Sequence, residues 1–542
     1  MVTARRAAAW VFVAALSLFL IGPAVALFLV CWWRGELAVL AAPSPADWER
    51  WARLLGATIR VTLGAMLLAG ALGVTMALAI HRSRGLPRRL LAALYPVPLL
   101  LPPVVVAIGW THLLGKRGIA AAAWRAWTGS PELPFSIYGE AGSIAVLGLC
   151  WFPLVTMPTL VGLRALGTEL LTAARLYAGP WRRTLKVTGP LLLPYAGAGA
   201  AFVGWLALGD FDVPAVFLRN AFPVEIYSAL QVYPSPGRAL LVSLPLLVLA
   251  ALIGLGRLAL ARGAGVLSES RHSTPTATLD MHWRPDAEAA SGARSRGLLV
   301  AAAVILLVAV VVPVLSLIHQ AGGAARYKAG FQTAGPQIEY SFLSALGASV
   351  LMLALGLPYA LLLRRARGAA RAALVLLALI PVAIPGTVHG LAWTQALLPV
   401  AWGRAFLNHP AILACAEAAR FFALPAFVLA ATLDGLDWSL WEAARSAGAG
   451  AWRAWWRVAF PLLYPGLLAA LAIGYALSIG ELSCSILLQP VGYGTLPVRL
   501  SGLLHFGKDE LLAALCVIQV ILGLAPYLAV VLWLERTLEV RL

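Results

Sequence analysis

Runs of some twenty consecutive apolar residues, separated by short polar loops, recur from one end of this chain to the other. A helix rises about 1.5 Å per residue, so each run reaches across a hydrocarbon core about 30 Å thick. Inside such a core every backbone N–H and C=O must pair within its own helix or around a closed barrel. A barrel would show alternating segments of about ten residues, and the sequence has none. The chain therefore reads as an all-α polytopic membrane protein. Composition agrees: 61% of the 542 residues are hydrophobic and 12% are charged, against about 45–50% and about 25% in soluble domains.

Twelve runs are readable, near residues 7–30, 58–80, 90–114, 143–163, 191–208 and 240–261, then 297–318, 342–363, 372–397, 411–433, 462–479 and 511–534. The first is too long for a signal-peptide core and reads as a retained signal anchor. The third carries Pro96, Pro98, Pro102 and Pro103, and the ninth Pro381 and Pro385. Both are expected to be kinked and supported by neighbouring helices. Between the sixth and seventh runs lies a stretch of mixed charge containing RHSTPTATLD, too polar for lipid and too poor in apolar residues for a core. The expected division is a six-span half over 1–262, a cytoplasmic linker over 263–296 and a second six-span half over 297–542.

The formal charge of +18 sits in short loops, including Arg5/Arg6, His81–Arg89, Arg164–Lys186, Arg364–Arg371 and Arg445–Arg457. Loops of this kind set topology and face anionic lipid headgroups, so membrane lipid rather than nucleic acid is the expected partner. The positive-inside rule puts them all in the cytoplasm, which requires both termini inside and two halves of equal orientation, a parallel repeat. Five scattered cysteines give no disulfide framework and no metal site. The histidines His112, His319, His389, His409 and His505 read as packing or interfacial residues. No catalytic constellation and no G-x-x-x-x-G-K-[ST] stretch is present. The chain is thus expected to be no enzyme, to hold no cofactor or metal, and to cradle no nucleotide by that device.

The duplication is carried by two polar interruptions. WEAARSAGAGAWRAWWRVAFPLLYP (Trp441–Pro465) and TAARLYAGPWRRTLKVTGPLLLP (Thr172–Pro194) share Ala-Ala-Arg, then glycine, then Trp-Arg, then a proline opening the next apolar run. Each lies before the penultimate span of its half. A second pair follows at the same spacing: Gly209-Asp210 ends the fifth run and Gly480-Glu481 the eleventh. An acidic group at a span's end is costly in lipid. Asp210 and Glu481 either line a translocation pathway, where with Asp212 they favour a cation, or cap the short helices that follow at the outer interface. PVEIYSAL (Pro223–Leu230) and TLPVRLSGL (Thr495–Leu503) correspond in the same way and are expected to form short external helices.

The second interruption, with Glu442-Ala443-Ala444, Gly448 six residues after the glutamate, and Phe460-Pro461, resembles the EAA motif of type I ABC import permeases. The resemblance implies about twelve transmembrane helices as two parallel repeats of the MetI-like fold. It also implies a loop of two short helices that docks on a cytoplasmic ABC ATPase dimer, and a periplasmic solute-binding protein that delivers the substrate. On that reading the coupling residues of loop 441–465 are Glu442, Ala443, Ala444, Gly448, Trp452, Arg453 and Pro461. Small alanines permit close approach, Gly448 permits the turn, and Trp452, Trp455 and Trp456 offer aromatic anchors. In the first loop, 169–194, the matching residues are Thr172, Ala173, Ala174, Gly179, Trp181, Arg182 and Pro190. Thr172 replaces the glutamate and Ala178 the glycine, so weaker or different contacts are expected there.

The tail, LQPVGYGTLPVRL with GLLHFGKDELLAALCVI, is similar to permeases of this family in which both halves are fused, which handle ferric iron, thiamine or small phosphonates. The expected function is the permease subunit of an importer in a bacterial inner membrane, with ferric iron or another such small solute as cargo. The alternative is an ion-coupled secondary transporter of two six-span repeats, disfavoured because buried charges within the spans look too few. A polytopic membrane enzyme lacks its reactive cluster, and an exporter is disfavoured by the importer-type loop.

Overall fold

The structure, a computed structural model, describes residues 2–36, 45–130, 133–166, 182, 184–232, 236–263, 293–506 and 509–539. These residues form helices and connecting turns, with no strand among them. Eight helices are long and apolar enough to cross a membrane unbroken: Trp48–Arg82, Glu140–Ala165, Lys186–Gly209, Pro236–Leu260, Arg296–Ala321, Ala324–Arg365, Ala451–Ile479 and Glu510–Trp533. They are spans two, four, five, six, seven, eight, eleven and twelve of the sequence reading. Spans one, three, nine and ten are instead bent pairs, giving up to twelve spans if each pair crosses once.

The prolines do more than kink. Span three divides into Gly85–Leu100 and Pro103–Thr128 at 91°, and span nine into Gly368–Ala383 and Gly386–Leu397 at 101°. Leu101 (φ −92°, ψ 119°) and Ile384 (φ −78°, ψ 127°) are both extended. Each precedes a proline whose ring disfavours the helical conformation of the residue before it. Right-angle breaks therefore replace the expected kinks. Span one (59°) and span ten (58°) bend less.

Milder prolines are absorbed without a break. Wide π turns at Thr184–Thr188, Leu307–Val311 and Trp455–Ala459 each end two residues before a proline: Pro190, Pro313 and Pro461. Proline removes an N–H and crowds the carbonyl four residues back, and a π turn opens the spiral where that carbonyl sits.

Small residues bring the helices together, as they must where lipid supplies no hydrophobic drive. A Cβ on Gly73 of span two would lie 2.8 Å from the Phe152 carbonyl oxygen of span four. Thr156 of span four donates its hydroxyl to the Gly73 carbonyl at 3.2 Å. Gly356, in span eight of the second half, meets Leu429 and Ala426 of span ten in the same way. The halves are also intertwined. The second helix of span one packs on Gly386–Leu397, and Phe19, near the end of the first, lies edge-on to Trp393 at 5.7 Å. Span seven returns the contact on Pro103–Leu114, where Ser316 donates to the Gly109 carbonyl at 2.9 Å.

Candidate functional site

Where spans five and eleven end, the two halves face each other across a small cavity of about 60 Å³. Its wall includes five pairs that the repeat matches: Trp151 and Phe421, Leu206 and Leu477, Gly209 and Gly480, Asp210 and Glu481, Asp212 and Ser483. A cavity lined by such pairs lies on the pseudo-twofold axis of the repeat. Contacts across it are reciprocal. A Cβ on Gly480 would lie 2.9 Å from the Pro102 ring, at the break in span three, and one on Gly209 3.4 Å from Pro385 Cα, at the break in span nine. The proline breaks thus place backbone against the ends of the opposite half's span.

The structure brings Asp210 and Glu481 together, and both also cap. Asp210 Oδ1 accepts from Val213 N at 3.1 Å, and Glu481 Oε1 from Cys484 N at 2.8 Å, each holding the first turn of the short helix that follows. Trp151, on the same wall, stands near the middle of the helix Glu140–Ala165.

Sequence reasoning missed the cation. Arg420, in span ten, is 3% exposed, lines the cavity and pairs through Nη1 with Glu481 Oε1. Its Nε has no hydrogen-bond partner among the described residues, nor has Asp212 Oδ1. Glu417, one helical turn earlier and 2% exposed, accepts from the Ser344 hydroxyl at 3.4 Å. The signal was legible as AEAAR inside an apolar run, with glutamate and arginine at i and i+3 on one helix face. Buried charges in the spans are therefore more numerous than expected. Arg420 also bears on the argument for a cation, because a guanidinium already engages one of the carboxylates that suggested it. His389 is buried, with Nε2 3.0 Å from the Ala416 carbonyl oxygen, as a packing histidine. Among the described residues no three His, Cys, Asp or Glu side chains meet in a metal-holding group.

At the opposite end of span eleven lies the second loop. Helix Trp438–Ser446 carries Glu442, Ala443 and Ala444 and buries none of its residues. Asp437 caps it, accepting from Ser439 N at 3.0 Å, and hydrogen bonding from the Ser439 side chain, with this backbone bond, holds its carboxyl below the usual carboxylate range. The helix ends in a turn closed by Gly448 at φ +86°, where L residues are strained. Arg445 braces the turn by donating to the Ala449 carbonyl at 2.8 Å. The second helix starts at Ala451 and runs unbroken into span eleven, so it is not the separate short helix the resemblance implied. The π turn before Pro461 is what lets it continue. Trp452 is 74% exposed and stacks edge-on with Trp456, and Arg453 is exposed. Trp455 departs from the expected face, turning inward 6.5 Å from Trp441. Arg364, from the basic loop after span eight, lies 4.4 Å over the Trp438 ring and fixes the loop to the bundle.

Of the first loop, Thr172, Ala173, Ala174, Gly179 and Trp181 lie outside the described residues, as does nearly all of the linker. Arg182 is exposed, and Pro190 opens the helix Gly189–Gly209 as Pro461 opens Phe460–Ile479. The two segments expected to be external are helical, Phe222–Val232 and Leu496–Phe506. Beside the first lies a larger cleft of about 710 Å³ whose arginines are mostly engaged: Arg50 pairs with Glu225 at 2.7 Å and Arg219 with Glu140 at 2.8 Å.

Comparison with known proteins agrees with this architecture. Residues 352–540 match the family model described as the binding-protein-dependent transport system inner membrane component. The molybdenum transport system permease protein ModB of Mycobacterium tuberculosis is 31% identical over 256 residues, 46% of this chain and 92% of that protein. ModB of Escherichia coli K12 is 29% identical over 181 residues, 32% of this chain and 77% of that protein. The putative 2-aminoethylphosphonate transport system permease protein PhnV of Salmonella typhimurium is 32% identical over 148 residues, 27% of this chain and 54% of that protein. The phosphonate expectation has a counterpart among these names and the ferric iron expectation has none. The chain belongs to the inner-membrane permease family of binding-protein-dependent ABC import systems and is a multi-pass transport component, not an enzyme.

Proposed function

We propose that this chain is the fused permease of a molybdate importer, its two halves, 1–262 and 297–542, taking the places of two separate subunits. The observation that carries the substrate is the match to ModB across 92% of that protein. Molybdenum in neutral water is the tetrahedral molybdate dianion, and a buried arginine in the axial cavity suits a path for an anion better than one for ferric iron. Glu442, Ala443, Ala444, Gly448, Trp452 and Arg453 form the docking surface for one ATPase subunit, and Thr172, Ala173, Ala174, Gly179, Trp181 and Arg182 for the other, with Pro461 and Pro190 setting where each loop enters its span. The ATPase pair and the solute-binding protein are separate chains. Both termini, the linker and the basic loops lie in the cytoplasm.

In this mechanism the ATPases bind one arrangement of the loops more tightly than the other, and that difference biases the halves between inward and outward opening. Asp210 and Glu481 stand where the halves meet, so parting them opens the path. The test is accumulation of molybdenum, by elemental mass spectrometry, in cells lacking their own molybdate importer and expressing this chain with its genomic neighbours. Uptake from submicromolar molybdate, competed by tungstate but not by ferric citrate, is the expected result. Uptake of ferric iron or of 2-aminoethylphosphonate with none of molybdate would replace the substrate while leaving the importer reading in place.

A further inference from the structure

We infer that Arg420 is the anion-recognition residue of the translocation path and that Glu481 is its built-in competitor, occupying the guanidinium whenever the halves are together. The inference rests on the oxyanion reading above. Four observations support it. Arg420 is 3% exposed yet points into a cavity on the pseudo-twofold axis. It spends Nη1 on Glu481 and leaves Nε unpartnered among the described residues. A guanidinium offers five donors in a planar fork suited to oxyanions, so a single carboxylate contact leaves most of that capacity unused. Arg420 also has no counterpart in the first half, where the repeat puts Cys150 at the matching position.

The carboxylates are anchored to their own halves. Asp210 is tied to Val213 N in the first, and Glu481 to Cys484 N in the second. In the closed arrangement Asp210, Asp212 and Glu481 share the wall of a cavity of about 60 Å³ with Arg420, and the three carboxyl groups crowd the guanidinium. Parting the halves carries Asp210 and Asp212 away while Arg420 and Glu481 stay together. An entering dianion then meets one guanidinium with a free Nε edge and competes with one carboxylate. Closure restores the acidic wall and expels it. The pair therefore admits an oxyanion when the path is open and excludes it when the path is shut.

The test uses Arg420→Gln, Glu481→Gln and the double variant in the full chain, co-expressed with its ATPase and binding protein. Molybdate uptake is the readout, and ATPase activity of the purified complex controls for assembly. A guanidinium that binds substrate predicts an uptake loss of about tenfold or more in Arg420→Gln and in the double variant, with ATPase activity kept. It predicts that Glu481→Gln lowers the molybdate concentration for half-maximal uptake by about threefold or more, because the competitor rather than the recogniser is neutralised. A merely structural ion pair predicts the reverse: each single change leaves an orphan charge and fails, and the double variant, with no buried charge left at the pair, recovers. Recovery of uptake in the double variant overturns the inference. If the wild-type complex transports no oxyanion at all, the substrate reading fails first and the inference goes with it.

Discussion

The two halves share a frame and differ in charge. Span four of the first half carries Leu147 and Cys150 where span ten of the second carries Glu417 and Arg420, and on the cavity wall Asp212 stands where the second half has Ser483. The frame itself is kept: proline breaks at Pro102 and Pro385, capping acids at Asp210 and Glu481, and π turns before Pro190 and Pro461. A homodimer must repeat every residue across its axis, so an arginine close to the axis would face its own copy. Like charges at close range in a low dielectric are strongly unfavourable. Fusing two halves into one chain removes that constraint. Symmetry survives in the backbone, where it sets geometry, and lapses in the side chains, where chemistry is done.

The loops should show the largest difference between the halves. Gly448 sits at φ +86° with open space around the position of a Cβ, so a side chain there meets no clash, only backbone strain. Gly448→Val would swing helix Trp438–Ser446 relative to Trp452 without disturbing the bundle. The expected result is a loss of about tenfold or more in co-purified ATPase and in uptake, since a few central anchors dominate such interfaces. Gly179→Val in the first loop, which lacks the glutamate and carries Ala178 at the glycine position, should reduce both by no more than about threefold. Equal losses would show that the two loops couple alike despite their sequences.

A smaller difference is expected where the halves touch. At Gly480 a Cβ would press on the Pro102 ring at 2.9 Å, while at Gly209 the nearest atom, Pro385 Cα, is 3.4 Å away. Gly480→Ala should therefore destabilise the closed arrangement by about 1–3 kcal/mol, the usual cost of overpacking a tight contact. Gly209→Ala should stay within about 0.5 kcal/mol. Thermal unfolding of the detergent-solubilised chain reads both. If the two substitutions are indistinguishable, the proline rings yield, and the reciprocal contact does not set the spacing of the halves.

Much of this was legible in the sequence because lipid leaves few choices. Apolar run length marked the spans, and the paired Trp-Arg-Pro order marked the loops. Asp210 and Glu481 were found because they are duplicated. Arg420 and Glu417 were not, because the search followed what the halves share, and the charges that distinguish them lie at unshared positions. The right-angle breaks were also underestimated. A proline in a helix permits anything from a bend to a full stop, and which one occurs depends on whether the preceding residue stays helical. That is decided by what packs on the break, here the glycine ends of spans from the other half.

The smallest effects should fall where the halves are alike. The external helix of each half begins with a backbone N–H that donates to a hydroxyl on the span behind it. Phe222 N donates to Thr58 Oγ1 at 2.9 Å, and Leu496 N to Ser341 Oγ at 2.7 Å. Thr58 and Ser341 hold matching places in spans two and eight, and Phe222 and Leu496 are fully buried, so water does not replace either bond. Removing the acceptor strands a buried donor, which costs about 1–3 kcal/mol, and more of it where the site cannot relax. Thr58→Val and Ser341→Ala should thus destabilise by similar amounts, agreeing within about 0.5 kcal/mol, and the double variant should show their sum because distant sites are independent. Amide exchange should rise at the start of Phe222–Val232 in the first variant and of Leu496–Phe506 in the second, each without change in the other. Unequal costs would mean that one external helix is held mainly by other contacts. The asymmetry seen in the cavity wall would then extend to the frame, and the separation of a symmetric scaffold from asymmetric chemistry would fail at its most conservative point.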